Sequence, residues 1–149
     1  MDIPFVYIAM DDLVRDETRT LSMVTSLLKI DGKFGFKVNQ DYLLKVGIKP
    51  AIMRLRNITD RPIFADIKMW NSNHIMVSVA NQLIDLDVEL FNVFALADAD
   101  IKKLRQVIDD RKSKTQIAGI SILSHYDEYY CEDYFRSPPL EAIAEHSDF

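Results

Sequence analysis

Residues 63–70 of the chain read Ile-Phe-Ala-Asp-Ile-Lys-Met-Trp, an apolar and strand-forming run that carries two opposite charges. Because side chains alternate along a strand, we expect Asp66 and Lys68 to project to one face and the apolar residues between them to the other. Runs that are apolar almost throughout are typical of parallel sheets covered on both faces. This stretch therefore predicts a parallel strand that holds opposite charges on one side.

Similar apolar runs recur along the chain, and their starts lie roughly 26 to 29 residues apart. The five runs cover residues 5–10, 33–38, 62–69, 89–96 and 116–123. Between them apolar residues return at helical spacing, as in residues 21–28 and 101–108. Connections of roughly 20 residues are long enough for crossover helices and too long for hairpins. The pattern predicts an α/β fold in which strand and helix alternate about five times.

Two architectures fit this alternation. The first is the (β/α)8 TIM-barrel type, of which the chain would supply about the first five βα units. The alternative is an open, five-stranded, doubly wound sheet like that of a phosphoacceptor receiver domain, with Asp66 as the phosphoacceptor and Asp11 and Asp12 as its acidic pair. No linker or low-complexity segment interrupts the chain, so residues 1–149 are expected to form a single domain.

Composition excludes several classes of protein. The chain has 149 residues, of which 48% are hydrophobic, and its net charge of −5 comes from interleaved charges of both signs, which argues against nucleic acid as a partner. No apolar stretch approaches the roughly 18 residues of a membrane span, and no targeting segment is evident, so we expect a cytoplasmic protein without membrane contact. The single cysteine, Cys131, agrees with a reducing compartment.

Several kinds of site are also absent from the sequence. The four glycines form neither a dinucleotide-binding fingerprint nor a phosphate-binding loop. The three histidines and Cys131 show no metal-binding spacing, so no metal is expected. Residues 126–139 are acidic and aromatic-rich, and they predict a surface helix that Pro138 and Pro139 break.

The charged residues that interrupt the apolar runs lie where both architectures place function, at the carboxyl ends of the strands. Asp11 follows the first run, Lys37 lies in the second, and Asp66 and Lys68 lie in the third. A buried ionised group costs several kcal/mol unless it is paired, so we expect a mutually neutralising cluster. In such a cluster the carboxylate between two ammonium groups should stay ionised, and a lysine could donate a proton.

With these residues the sequence resembles the orotidine 5'-phosphate decarboxylase family. Residues 64–68 look like the family's Asp-x-Lys-x-x-Asp motif on strand three, and residues 7–11 are similar to its strand-one Ala-Leu-Asp. Residues 36–38 resemble its strand-two lysine segment, and residues 120–124 resemble its strand-five ending, which usually reads Leu-Thr-Ser. The resemblance implies a (β/α)8 barrel that dimerises to complete its active sites and uses no metal or organic cofactor.

The resemblance also implies residue roles. Lys37 and Asp66 would belong to a charged network in which Asp66 crowds the carboxylate of the substrate. Lys68 would protonate the pyrimidine carbon as carbon dioxide leaves, and Asp11 would hold the ribose. The implied activity is that of a carboxy-lyase that converts orotidine 5'-monophosphate to UMP in pyrimidine biosynthesis, in a homodimer with shared active sites.

Some positions depart from the family's pattern. Asn71 replaces the motif's last aspartate, which in the family reaches into the neighbouring subunit's site, and an amide there removes one negative charge. His125 stands where the family has a serine that contacts the base, and with Ser124 it is expected to bind substrate. Eight units of roughly 27 residues need about 220 residues, so we expect a fragment or a half-barrel that assembles with another chain.

Two other functions remain open at the level of sequence. The receiver-like architecture implies phosphorylation of Asp66 instead of turnover. Another phosphosugar lyase of the same barrel superfamily would share the strand-three motif, although those enzymes need the aspartate that Asn71 replaces for magnesium.

Overall fold

Five strands form a parallel sheet in the computed structural model, which describes residues 5–123 and 125–145 without the side chains of residues 98, 99 and 145. The strands are β1 (Val6–Ala9), β2 (Phe34–Asn39), β3 (Ile63–Met69), β4 (Leu90–Phe94) and β5 (Gln116–Ile120). Four of them lie within apolar runs, and β2 extends one residue past its run, to Asn39. The predicted α/β class is confirmed.

Helices connect the strands. They are α1 (Glu17–Leu27), α2 (Gln40–Val46), α3 (Ile48–Arg56), α4 (Asn73–Asp85), α5 (Asp98–Asp110), α6 (Glu128–Phe135) and α7 (Pro139–Glu145). The connection between β2 and β3 holds two helices, because Gly47 adopts a φ of 92° that ends α2 before α3 begins. None of the helices in the described ranges is long and apolar enough to cross a membrane.

Pro138 and Pro139 lie at the junction of α6 and α7, and α6 ends before them as the sequence predicts. Helix α6 ends at Phe135, before Pro138, and Pro139 is the first residue of α7. Proline suits this first position because its missing N–H would have no partner within the helix. The segment therefore forms one short helix, α6, and a second helix, α7, begins at its last residue.

The strand order is β1-β2-β3-β4-β5, with every neighbouring pair parallel. Consecutive strands that pair in chain order are typical of a (β/α)8 barrel, whereas receiver-like sheets have the order 2-1-3-4-5. Across the described residues β1 and β5 form the two edges of the sheet, so it is open. The strands thus follow one another as barrel strands do, within an open sheet.

The two faces of the sheet differ in burial. Phe36 of β2 is paired with Ile63 of β3, and both are fully buried in the core that the sheet forms with the helices. The opposite face carries Lys37, paired with Phe64, and both of these are only partly buried. The apolar runs predict cover on both faces, but full burial is found on the helix-packed face. The other face is where the charged side chains lie.

Gly35 of β2 lets the backbones of the neighbouring segments approach closely. A Cβ atom there would overlap the carbonyl oxygen of Pro62 and lie 2.8 Å from Cε1 of Tyr7. We predict that Gly35→Ala lowers the free energy of unfolding by about 1–3 kcal/mol, because backbone must move to make room. Urea unfolding measures the change.

The matched control is Gly32→Ala. A Cβ on Gly32 would first meet the Phe34 ring at 3.4 Å, which is ordinary contact, so its effect should stay within about 0.5 kcal/mol. Equal stability of the Gly35→Ala variant and the unsubstituted protein would contradict the close approach of the backbone at this position.

Candidate active site

Asp66 is the centre of a charged cluster on β2 and β3. Its Oδ2 atom accepts a hydrogen bond from Nζ of Lys37 at 3.0 Å, and its Oδ1 atom accepts one from Nζ of Lys68 at 2.6 Å. The side chain of Asp66 is 9% exposed, while those of Lys37 and Lys68 are 23% and 34% exposed. A nearly buried carboxylate therefore lies between two ammonium groups that still reach solvent, as the sequence predicts for these residues.

Asn92 of β4 is a further partner of Asp66, one that the sequence pattern does not indicate. Its Nδ2 atom donates to Oδ1 of Asp66 at 2.6 Å, and its Oδ1 atom accepts from the backbone N–H of Lys68 at 2.7 Å. Asn92 is itself buried, at 4% exposure. The one available signal was an amide within the otherwise apolar residues 90–94.

The backbone of Lys68 is left-handed, with a φ of 46°. Ala65 pairs with Phe91 and Met69 pairs with Val93. Between these two pairs β3 advances by four residues while β4 advances by two. The extra residues form an irregularity of the bulge type. A left-handed conformation costs a non-glycine residue about 1–2 kcal/mol, so the surrounding contacts must hold it. The irregular segment ends at the position from which Lys68 reaches Asp66.

The hydrogen bonds at Asp66 decide its charge. Burial by itself raises the pKa of a carboxyl group. At Asp66 the hydrogen bonds from Lys68, Asn92 and Lys37, with the positive charge of Lys37, outweigh burial and hold the pKa below its usual value. Asp66 is therefore a carboxylate at neutral pH.

Asp11 extends the cluster toward solvent. Its Oδ1 atom lies 3.9 Å from Nζ of Lys37 and accepts a hydrogen bond from Nδ2 of Asn39 at 2.6 Å. The side chain of Asp11 is 68% exposed, so a ligand can reach it. Asn39 in turn keeps a buried Oδ1 atom that has no hydrogen-bond partner within the described residues. The four charges from Asp11 to Lys68 thus alternate in sign across three strand ends.

This arrangement disfavours the receiver-like alternative. In a receiver domain the acidic pair and the phosphoacceptor would share a magnesium ion, but here Nζ of Lys37 lies between the carboxylates of Asp11 and Asp66. Over residues 5–123 and 125–145 no three acidic, histidine or cysteine side chains come together to hold a metal ion. Each lysine of the cluster is thus paired with a carboxylate.

Two further predicted site residues, Asn71 and His125, contact their neighbours in the chain. Asn71 is exposed, and its Oδ1 atom accepts a hydrogen bond from the backbone N–H of Ser72 at 2.7 Å. His125 is also exposed, with its ring 4.7 Å from that of Tyr126 in an edge-on contact. Ser124 lies outside the described residues. The roles predicted for these three residues stay predictions.

An aromatic cavity of about 240 Å³ lies beside the ends of β3, β4 and β5. The rings of Tyr126 and Tyr130 stack at 3.9 Å between centroids, and Trp70 contacts Phe94 at 5.6 Å. The lining residues are Trp70, Phe94, Leu96, Ser121, Tyr126, Tyr130, Tyr134 and Phe135. The sequence shows these tyrosines only as part of a surface helix, because their cavity forms through contacts distant along the chain.

Comparison with known proteins finds similarity in structure. No protein-family model and no curated protein matches the sequence. An uncharacterized conserved protein from Geobacillus kaustophilus has a TM-score of 0.73 and 17% identity, over 96% of this chain and 66% of its own length. At this identity the likeness concerns the fold.

Two orotidine 5'-phosphate decarboxylases have the same strand and helix arrangement. The enzyme from Pyrococcus horikoshii OT3 has a TM-score of 0.62 and 20% identity over 82% of this chain, and the enzyme from Lactobacillus acidophilus has 0.65 and 19% over 97%. This chain spans 53% of the first and 65% of the second. The fold therefore matches part of the barrel that these enzymes form.

The lowered pKa of Asp66 makes a prediction about stability and pH. A carboxyl group whose pKa is lower in the folded state stabilises the protein above its unfolded pKa of about 3.9, and this contribution is lost as the pH falls through the folded value. We predict that Asp66→Asn lowers the free energy of unfolding by about 1–3 kcal/mol at pH 7, because the buried network loses its negative charge and one of its two acceptor oxygens. Urea unfolding at several pH values measures it.

The difference between the two proteins should shrink as the pH falls below about 3.9, the pKa of an unfolded aspartate, and through the lower pKa of folded Asp66. Asp12→Asn is the control, because the Asp12 side chain is 72% exposed and lies 3.9 Å from Arg15, and it should change stability by less than about 0.5 kcal/mol. A difference between Asp66→Asn and the unsubstituted protein that stays constant from pH 7 to acid would contradict an ionised Asp66.

Proposed function

We propose that this chain carries the decarboxylation site of an orotidine 5'-phosphate decarboxylase-type enzyme, which converts orotidine 5'-monophosphate to UMP without a cofactor. One observation carries the proposal: an ionised, nearly buried Asp66 lies between the ammonium groups of Lys37 and Lys68 at the carboxyl ends of the strands. The fold shared with the two decarboxylases supports it. So does the likeness of residues 64–68 to that family's strand-three motif.

Asp66 would act on the bound substrate through its charge. The substrate carries a carboxylate on C6 of the pyrimidine ring, and binding it beside Asp66 brings two negative charges together. This repulsion is relieved as the carboxylate leaves as neutral carbon dioxide. An interaction that is unfavourable in the bound substrate and absent in the transition state lowers the barrier. The hydrogen bonds from Lys68, Asn92 and Lys37 keep Asp66 charged for this role.

Lys68 would supply the proton. When the bond from C6 to the carboxylate breaks, its electron pair stays on C6 and carbon dioxide is released. The ammonium group of Lys68 stabilises this developing negative charge and transfers a proton to C6, which forms the C–H bond of UMP. Lys68 then regains a proton from water, which its 34% exposed side chain can contact.

Lys37 and Asp11 would orient the ribose. The Asp11 carboxylate is exposed and is held from one side by Asn39, so its free oxygen can accept a hydrogen bond from a sugar hydroxyl. Lys37 lies between Asp11 and Asp66, so its ammonium group links the carboxylate that would bind the ribose to the carboxylate beside the reacting carbon. Holding the ribose in this way fixes the distance of C6 from Lys68.

A homodimer with shared sites is part of the proposal. Asn71 follows β3 on the exposed surface and makes its side-chain hydrogen bonds with Ser72. This exposure supports a role for Asn71 in the site of a neighbouring subunit, as the family resemblance implies.

We predict that Lys68→Ala lowers the rate of decarboxylation by about 10²–10⁴-fold, the usual contribution of a positioned general acid. The measurement is release of labelled carbon dioxide from orotidine 5'-monophosphate labelled in its carboxylate. Lys103→Ala is the matched control, because Lys103 is exposed on α5 and bonds to Gln106. Its rate should equal that of the unsubstituted protein.

Two results would overturn the proposed function. One is an unchanged rate in a folded Lys68→Ala protein. The other is the absence of carbon dioxide release while NMR titration shows that the nucleotide is bound.

A further inference from the structure

We infer that Asn92 is the positioning residue that sets the ammonium group of Lys68 against Asp66. A single buried amide contacts both residues: its nitrogen donates to the carboxylate of Asp66, and its oxygen accepts from the backbone N–H of Lys68. Asn92 acts through Lys68 and Asp66. The effect of Asn92 on catalysis rests on the proposed function, whereas its hydrogen bonds to Lys68 and Asp66 do not.

The strand irregularity explains why Lys68 needs this contact. The register of β3 shifts against β4 between Ala65 and Met69, and the N–H of Lys68 bonds to the side chain of Asn92. A buried N–H without any acceptor would be costly. The amide oxygen of Asn92 supplies the acceptor that a backbone carbonyl of the neighbouring strand would supply in a regular sheet. It thereby holds the left-handed backbone from which the Lys68 side chain returns to Asp66.

An amide side chain can make both bonds at once. The Lys68 N–H requires an acceptor and the Asp66 carboxylate requires a donor. The amides of asparagine and glutamine offer both, on an oxygen and a nitrogen bonded to the same carbon. An aspartate keeps the acceptor but replaces the donor with a second negative charge. A leucine of similar size keeps neither. These two substitutions therefore separate the two contacts.

Asp66 is faced by charged or polar groups from its own strand and from the two strands beside it. Lys37 faces it from β2 and Lys68 from β3, while Asp11 lies beyond Lys37. Asn92 is the contact from β4. A change in the titration of Asp66 after substitution of Asn92 can thus be assigned to the lost amide donor or to an added charge.

The experiment compares Asn92→Asp and Asn92→Leu by NMR in the absence of any nucleotide. In Asn92→Leu the Lys68 amide proton should exchange with solvent at least about tenfold faster, because it loses its acceptor. In Asn92→Asp this protection should remain. The pKa of the Asp66 carboxyl should rise in both variants, and more in Asn92→Asp, where a like charge is added.

Kinetics provide the second readout. We expect kcat for decarboxylation to fall by about 100-fold in both variants, because the position of Lys68 or the charge around Asp66 changes. We expect KM to change little, because the buried amide is not placed to contact the nucleotide. Asn81→Leu is the control: Asn81 bonds to Val77 and Arg111 on the helices, and its loss should leave the Lys68 amide and the Asp66 titration unchanged.

The inference is overturned if a folded Asn92→Leu protein keeps the exchange rate of the Lys68 amide and the pKa of Asp66 is unchanged in both variants. If Asn92→Leu does not fold, Asn92→Asp decides, because an unchanged Asp66 titration in that variant alone excludes the contact. If the NMR changes occur but the unsubstituted protein releases no carbon dioxide, the positioning role stands and the proposed function fails.

Discussion

The buried negative charge of Asp66 is the interaction on which the arrangement of this site depends. An ionised carboxylate that leaves water loses several kcal/mol of solvation, which only close donors can replace. Here the donors come from three adjacent strands: Lys37 from β2, Lys68 from β3 and Asn92 from β4. The parallel strands must therefore keep the observed register for Asp66 to stay charged. The fold and the chemistry are linked at this one side chain.

Sequence alone predicted the parts of the structure that local patterns encode. The apolar runs identified all five strands, although buried residues are found in β2, β3 and β4 and not in the edge strands β1 and β5. Charges within those runs identified Lys37, Asp66 and Lys68, because a charge in an apolar strand requires a partner. The aromatic segment 126–139 predicted a helix that ends before the prolines, and it forms α6, with α7 beginning at Pro139. Each of these features is decided within a few residues of the chain.

Other features depend on contacts that no local pattern encodes. The amide of Asn92 looked like an ordinary polar residue, since its two partners lie on another strand. The left-handed backbone of Lys68 follows from a register shift between β3 and β4, which the sequence of β3 alone does not contain. The unequal cover of the two faces, where cover of both was expected, likewise depends on how the helices pack. The alternation of charge from Asp11 to Lys68 becomes visible only when three strand ends are brought together.

The central claim is that a pyrimidine nucleotide binds with its reacting carbon beside Lys68, and a crystal structure of the chain with UMP bound tests it most directly. We predict that C6 of the pyrimidine lies about 3–3.5 Å from Nζ of Lys68, the separation needed for proton transfer, and that the ribose contacts Asp11. A structure in which UMP binds elsewhere, for example within the aromatic cavity beside Trp70 and Tyr130, while Lys68 and Asp66 contact no part of it, would contradict the claim.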